Sequence, residues 1–291
     1  MREVLPYDAL VFAGGGCRCF WQLGFLESVT REFDLAPRQA AAVSAGAAMA
    51  CAFFVARSEE VCNYFHRIIE ANERNIYPRN LFRKERVFPH EAMYRDTIRE
   101  CMDEGSLRRL QAGPEIRVLL TRLPRFLGAT AGVATAFLAY EAEKVFSPSV
   151  HPKLASRLGF RPEVVSLQSC PTAEAVADLI LQSSCTPPMT RVHWRDGAPV
   201  LDGGLVDNVP VAALADGARE VLVLLSRRYP NEVVPKREGY TYVQPSAPVP
   251  VEKWDYTSPA RVRATIELGQ RDGNAFVEDW RSSHAAPSRV S

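Results

Sequence analysis

The sequence predicts an α/β fold: three layers, with a mostly parallel central sheet and helices on both faces. Two observations carry this expectation. Short, nearly uninterrupted apolar runs alternate with longer segments of helical periodicity, the pattern of buried strands joined by crossover helices. Twice the junction from strand to helix is made of very small residues, "AGGG" at 13–16 and "VSAG" at 43–46. Such junctions lie at the carboxyl edge of parallel strands, where α/β sheets form their sites.

The elements follow in order. Residues 7–13 form the first buried strand, and 20–33 a helix with Phe20, Leu23, Leu26 and Val29 along one side. Residues 39–44 make a short small-residue strand that leads into an Ala-rich helix over 45–57. Helices follow at 59–72 and 89–102, the second with Pro89 at its first position. Strands occupy 115–123 and 162–169, and a helix over 172–183 starts on a Thr172 cap. A late buried strand covers 219–228, a Pro-rich irregular stretch 229–257, and a final helix 258–276. The expected organisation is a single domain over 1–278 with a polar, loose tail over 279–291.

Composition narrows the function classes. The 291 residues are 47% hydrophobic, enough for one large core. Lys plus Arg is 35 against 34 Asp plus Glu, a net charge of +1, which argues against a nucleic-acid binder or a strongly acidic partner. No secretory signal pattern is visible. The uncharged stretch Phe126–Tyr140 is too short to cross a bilayer. Seven cysteines, an odd number in mostly apolar surroundings, point to reduced thiols and a cytoplasmic protein. Cys17 and Cys19 have no second pair or nearby His at ligand spacing, so neither a metal nor another cofactor is implied. The oligomeric state is not legible.

Gly14, Gly15 and Gly16, followed by Arg18, open the first strand-to-helix turn. A glycine turn there cradles a phosphate, aims bare amides at a developing oxyanion, or is a tight turn only. The Walker lysine is missing, and Cys19 stands where a dinucleotide fingerprint has its last glycine. The second turn, "AVSAG", puts Ser44 between a strand end and a helix, the setting of a G-x-S-x-G nucleophile elbow. Gly46 fills the second glycine place and Ala42 stands in the first. The alternative for Ser44 is an ordinary N-cap.

A serine hydroxyl needs a general base. Of the five histidines, His66, His90, His151, His193 and His284, only His284 follows the strongest acid, and it lies in the polar tail. That acid is Asp202, which ends an apolar strand and precedes Gly203 and Gly204. The glycines allow a sharp turn and leave space before the carboxylate; an Asp-Gly turn alone is the structural alternative.

Together, "GGGCRC", "AVSAG" and "DGG" resemble the glycine loop, elbow and acid block of the patatin-like phospholipases. "SSCTPPM" (183–189) and "DGGLVDNVPV" (202–211) extend the likeness, which runs from about Leu10 to Leu225. The resemblance implies a patatin-like fold and a Ser–Asp dyad, with Ser44 as nucleophile and Asp202 as proton acceptor. It implies an oxyanion hole built from Gly14, Gly15, Gly16 and Arg18, with Asp207 and Asn208 bracing the acid loop. The activity implied is that of a lipid acyl hydrolase, phospholipase A or lysophospholipase-like, working through a covalent acyl-enzyme on a phospholipid or other acyl ester. Cys19 and Ala42 depart from the family pattern without removing a reacting group. Two alternatives stand beside it: a small-ester hydrolase with a Ser44–Asp202–His284 triad, and a degenerate lipid- or nucleotide-binding module.

Two further stretches bear on lipid contact. Residues 48–56 and 132–138 are candidates to enclose an acyl chain, with ordinary core as the alternative. Residues 74–88 interleave Arg74, Arg79, Arg83, Lys84 and Arg86 with Ile76, Tyr77, Leu81, Phe82 and Phe88. That mixture suits peripheral contact with an anionic membrane, or a loop whose apolar residues turn into the core.

Overall fold

The computed structural model of the chain describes residues 2–124 and 157–284. The uncharged stretch over 126–140, the candidate acyl segment 132–138, His151 and the last residues of the tail lie outside them. Eight strands form one mixed sheet: β1 (Ala9–Phe12), β2 (Gln39–Val43), β3 (Glu115–Arg122), β4 (Arg161–Ser166), β5 (His193–Arg195), β6 (Ala198–Asp202), β7 (Val221–Leu224) and β8 (Tyr240–Val243). The order is β5-β6-β3-β2-β1-β7-β8, with β4 also on β3. The run β3-β2-β1-β7-β8 is parallel throughout, while β4 and β6 are antiparallel to β3. The central strands read as continuous apolar runs because both of their faces are covered.

The helices are α1 (Phe20–Glu32), α2 (Ala45–Phe54), α3 (Ser58–Glu70), α4 (His90–Cys101), α5 (Glu104–Ala112), α6 (Ala173–Ser183) and α7 (Pro259–His284). Alternate strand residues, Leu10, Phe12, Ala40, Ala42, Ile116, Val118 and Leu224 among them, pack with these helices in the main core. The opposite face, Ala9, Val11, Ala41, Val221 and Val223, is covered among the described residues by chain from 209 to 234, including a short 3-10 turn. α1 and α7 cross closely because glycines sit at the contact: a Cβ on Gly273 would meet Phe25 O at 2.6 Å.

The sequence reading misses α5 and β8 and ends several elements in the wrong place: the strand expected to 228 stops at Leu224, and the helix expected to 57 stops at Phe54. β4 stops at Ser166 and a 3-10 turn takes Leu167–Ser169. α7 continues past Asp279 to His284, where Trp280 packs on Phe276 and Tyr7 and Arg281 pairs with Glu32. Those tertiary contacts hold a helix end whose polar composition reads as tail.

One detail of the sheet positions the site. β4 occupies one edge of β3 along Arg117–Arg122. The other edge is shared: β2 pairs up to Val43↔Leu119, and β6 takes over at Asp202↔Leu120. β2 runs parallel to β3 and β6 antiparallel, so their carboxyl ends meet head to head. Residues 44 and 202, far apart in sequence, therefore emerge side by side.

Candidate active site

Ser44 links β2 to α2 with φ 54° and ψ −134°, a left-handed conformation rare for any residue but glycine. Holding it costs about 1–3 kcal/mol, which the surroundings must offset. They do so through Ser183, at the end of α6. Its hydroxyl accepts the Ser44 N–H at 2.8 Å and donates to Leu119 O at 2.7 Å, wholly buried. The close pass demanded of an elbow falls at Gly46, where a Cβ would meet the carbonyls of Phe12 and Ala13 at 2.6 Å. Ala42 lies in the regular ladder opposite Phe12 and Val118, and its methyl is accommodated there.

Ser44 Oγ donates to Asp202 Oδ2 at 2.7 Å, and both residues are buried, at 4% and 5% exposure. Asp202 is fixed from several sides. Its Oδ1 accepts the Gly204 N–H at 2.8 Å, its backbone N–H donates to Cys185 O at 2.8 Å, and its carbonyl accepts from Thr121 at 2.9 Å. Thr186 Oγ1 approaches Oδ2 at 3.3 Å. A Cβ on Gly203 would collide with Leu119 O, so the turn after the acid depends on a bare backbone.

The glycine loop lies against this pair. Gly14 donates its N–H to Asn208 O at 3.0 Å, and Cys17 donates to Lys253 O at 3.1 Å. The amides of Gly15 and Gly16 have no hydrogen-bond partner among the described residues. Asn208 Nδ2 and Ser226 Oγ donate to Gly14 O, and Arg18 Nε donates to Gly15 O at 3.4 Å. A trans peptide holds its N–H opposite its C=O, so anchoring these two carbonyls turns the next two amides the other way. The glycines are glycine because protein already fills the space: a Cβ would meet Asn208 Oδ1 at 2.8 Å from Gly14, and would collide with Ser226 from Gly15 and with Lys253 O from Gly16. Gly16 also has φ +59°.

Cys19 is fully buried, with Sγ toward Ala13 O, and burial pushes its thiol up to about 12. All seven cysteines are free thiols, and no cluster of metal-ligand type occurs among the described residues. Asn208 braces the glycine loop rather than the acid alone. Asp207 caps the Val209 N–H at 3.0 Å.

The histidines fall elsewhere. His66 meets Arg263 at an exposed site, and His193 lies 3.6 Å from Glu91. His90 lines the pocket in front of Asp202, but its Nε2 is taken by Trp254 O at 3.0 Å. His284 stacks on Trp280 at 4.0 Å, and Trp280 packs on Tyr7 ahead of β1. That is the amino edge of the sheet, whereas Ser44 follows the carboxyl end of the parallel β2. A Ser44–Asp202–His284 triad does not assemble.

Two cavities flank the pair. One, of about 30 Å³, is lined by Ala45, Met49, Ala52, Phe65 and Ile98, so residues 48–56 face core-like space of roughly one methylene. The other is wide, about 820 Å³, with Asp202 in its wall. Its lining includes the apolar Ile76, Phe88, Met189 and Leu205 and the cations Arg18, Arg227 and Lys253. The loop between Ile76 and Phe88 is tied by Tyr77 N–H to Val87 O at 2.8 Å and Asn80 Nδ2 to Arg86 O at 2.8 Å. It turns Leu81 and Phe82 outward, at 71% and 89% exposure, rather than into the core. Among the described residues no helix is long and apolar enough to cross a membrane.

Comparison with known proteins was made at three levels. A family model described as patatin-like phospholipase matches residues 10–215. No curated protein matches the chain. Among solved structures, the crystal structure of VipD from Legionella pneumophila aligns at 11% sequence identity with a TM-score of 0.49, covering 95% of this chain and 68% of that one.

Proposed function

Because the chain belongs to the patatin-like phospholipase family, we propose that it is a lipid acyl hydrolase in which Ser44 and Asp202 work as a catalytic dyad. The observation that carries the reading is the buried 2.7 Å bond from Ser44 Oγ to Asp202 Oδ2 at the head of a strained elbow. Ser44 Oγ attacks the ester carbonyl while its proton passes to Asp202 Oδ2. The tetrahedral oxyanion is held by the amides of Gly15 and Gly16, oriented through the anchored carbonyls of Gly14 and Gly15. Collapse expels the alcohol, which takes the proton back from Asp202 and leaves an acyl-enzyme on Ser44. Water then attacks the acyl carbonyl, giving its proton to Asp202, and Ser44 leaves reprotonated with the free acid released.

A carboxylate is a weak base for a serine hydroxyl. Preorganised donors at the oxyanion therefore carry much of the rate, about 2.7–4 kcal/mol for each one in comparable sites. Arg18, tied to Gly15 O, orients that hole and brings positive charge to its rim. The wide pocket takes the substrate, with its acyl chain against Ile76, Phe88 and Leu205. Exposed Leu81 and Phe82, ringed by Arg79, Arg83 and Lys84, suit peripheral contact with an anionic lipid surface.

The test is fatty-acid release from a panel of phospholipids, lysophospholipids and nitrophenyl esters. Wild type is expected to hydrolyse at least one class, and Ser44→Ala and Asp202→Asn to lose about a hundredfold or more of that rate with unchanged circular dichroism. A rate within about tenfold of wild type in either folded variant overturns the dyad.

A further inference from the structure

Glu91 has no part in the chemistry above, yet it is a charged side chain only 1% exposed. It stands in the first turn of α4, where the helix dipole favours an anion. Its Oε2 accepts the backbone N–H of Arg191 at 2.7 Å, and its Oε1 accepts Arg191 Nε, also at 2.7 Å. Arg86 Nη1 reaches Oε2 at 3.2 Å, and His193 Nε2 lies 3.6 Å from Oε1. Burial pushes the Glu91 carboxyl up, but the Arg191 amide, His193, Arg86 and the Arg191 side chain outweigh it and hold the group below the ordinary glutamate value. Replacing a buried ion cluster by apolar packing often costs nothing, so a cluster of this kind points to a fixed geometry rather than to stability.

The geometry in question is that of the acid. Residues 185–191 are closed on themselves: Thr186 N–H donates to Thr190 Oγ1 at 2.8 Å, Thr190 N–H to Thr186 O at 3.3 Å, and Cys185 Sγ to Arg191 O at 3.3 Å. Whatever holds Arg191 therefore holds Cys185 and Thr186. Both of these meet Asp202. Cys185 O accepts its N–H at 2.8 Å, and Thr186 Oγ1 approaches its Oδ2 at 3.3 Å. A longer tie, Ser184 Oγ to Tyr94 Oη at 3.4 Å, joins the same stretch to α4. Neither Glu91 nor Arg191 lines the wide pocket. We propose that Glu91 is a positioning residue: it clamps residues 185–191 to α4 and so sets the Asp202 carboxylate against Ser44. The inference rests on the dyad reading for what that placement serves.

Kinetics on a soluble nitrophenyl ester and hydrogen exchange test it together. Glu91→Gln keeps the shape and loses the charge. Its kcat falls about tenfold or more with KM within about twofold, because the clamp places the base without touching substrate. Arg191→Gln, at a side chain 57% exposed, folds and lowers kcat as well. In the Glu91→Gln background it adds little, since both changes break one contact. In Glu91→Gln the Asp202 amide exchanges about tenfold or more faster relative to the Val11 amide of the buried strand β1; a residue that only adds global stability moves both alike. A kcat within twofold of wild type, a raised KM with kcat intact, full additivity of the two changes, or an unchanged exchange ratio each overturns the proposal. Where Glu91→Gln does not fold, Arg191→Gln is held to the same criteria of kcat, KM and exchange ratio. A wild type that hydrolyses nothing sinks the dyad reading, and the exchange ratio then still decides whether Glu91 holds the acid loop.

Discussion

Replacing Ser183 by Ala removes one oxygen, far from any reacting group in sequence, and is expected to damage both stability and rate. Its hydroxyl joins the Ser44 N–H to Leu119 O and is wholly buried. Orphaning a buried N–H costs about 1–3 kcal/mol, and the lost bond on Leu119 O about 0.5–1.5 kcal/mol. The sum, about 1.5–4.5 kcal/mol, is a large part of a typical domain's margin. The same bond offsets the unfavourable φ of Ser44, so its loss lets the elbow relax and pulls Oγ away from Asp202. Urea unfolding should therefore show the destabilisation. In the folded variant kcat on a nitrophenyl ester should drop about tenfold or more while KM moves little, because binding does not use Ser183. Ser183→Cys, close in shape with a weaker donor and acceptor, should fall between the two. A destabilisation under about 0.5 kcal/mol together with kcat within twofold would refute the claim that Ser183 holds the elbow.

Other perturbations separate packing, docking and protonation. Gly46→Ala forces a methyl against two backbone carbonyls at 2.6 Å and should cost about 1–3 kcal/mol with loss of activity; wild-type unfolding and rate would contradict it. The double change Leu81→Ser with Phe82→Ser, made in the Ser44→Ala background, should weaken co-sedimentation with anionic vesicles about tenfold or more, since each apolar side chain offers up to about 1.5–3 kcal/mol on burial; equal binding would free this loop of the role. Burial holds His90 and His193 below the ordinary histidine value, and for His193 it outweighs the attraction of Glu91. The unfolded chain takes up those protons near pH 6.5 and the folded chain does not, so stability is full above about pH 6.5 and falls as pH drops below it, by up to about 1.4 kcal/mol per unit and group. His193→Gln should flatten part of that slope between pH 7.5 and 5, and a wild type equally stable at both would contradict it.

What was legible in the sequence is what local chemistry dictates. A serine or an aspartate flanked by glycine between strand and helix has few conformations open to it, so the two turns and the acid loop could be placed by residue. The long apolar strands and the Thr172 cap were equally local. What escaped depends on contacts distant in sequence. Ser183 meets Ser44 across 139 positions, and Ser226 meets Gly14 across 212. A buried serine on a helix end carries no periodic signal to reveal it. β8 is four residues inside a Pro-rich stretch and is a strand only because β7 offers an edge. The glycine loop was legible as a turn, but the protein atoms that exclude side chains from it, on Asn208, Ser226 and Lys253, come from distant parts of the sequence.

The central claim is that Ser44 is a nucleophile activated by Asp202. Its most direct test is covalent labelling with a fluorophosphonate, read by intact-mass spectrometry and peptide mapping on wild type, Asp202→Asn and Ser44→Ala. The account predicts one adduct per chain on the peptide containing Ser44, formed about a hundredfold or more slowly in Asp202→Asn and absent in Ser44→Ala. An adduct mapped to another residue, or labelling of Ser44→Ala at the wild-type rate, would contradict it.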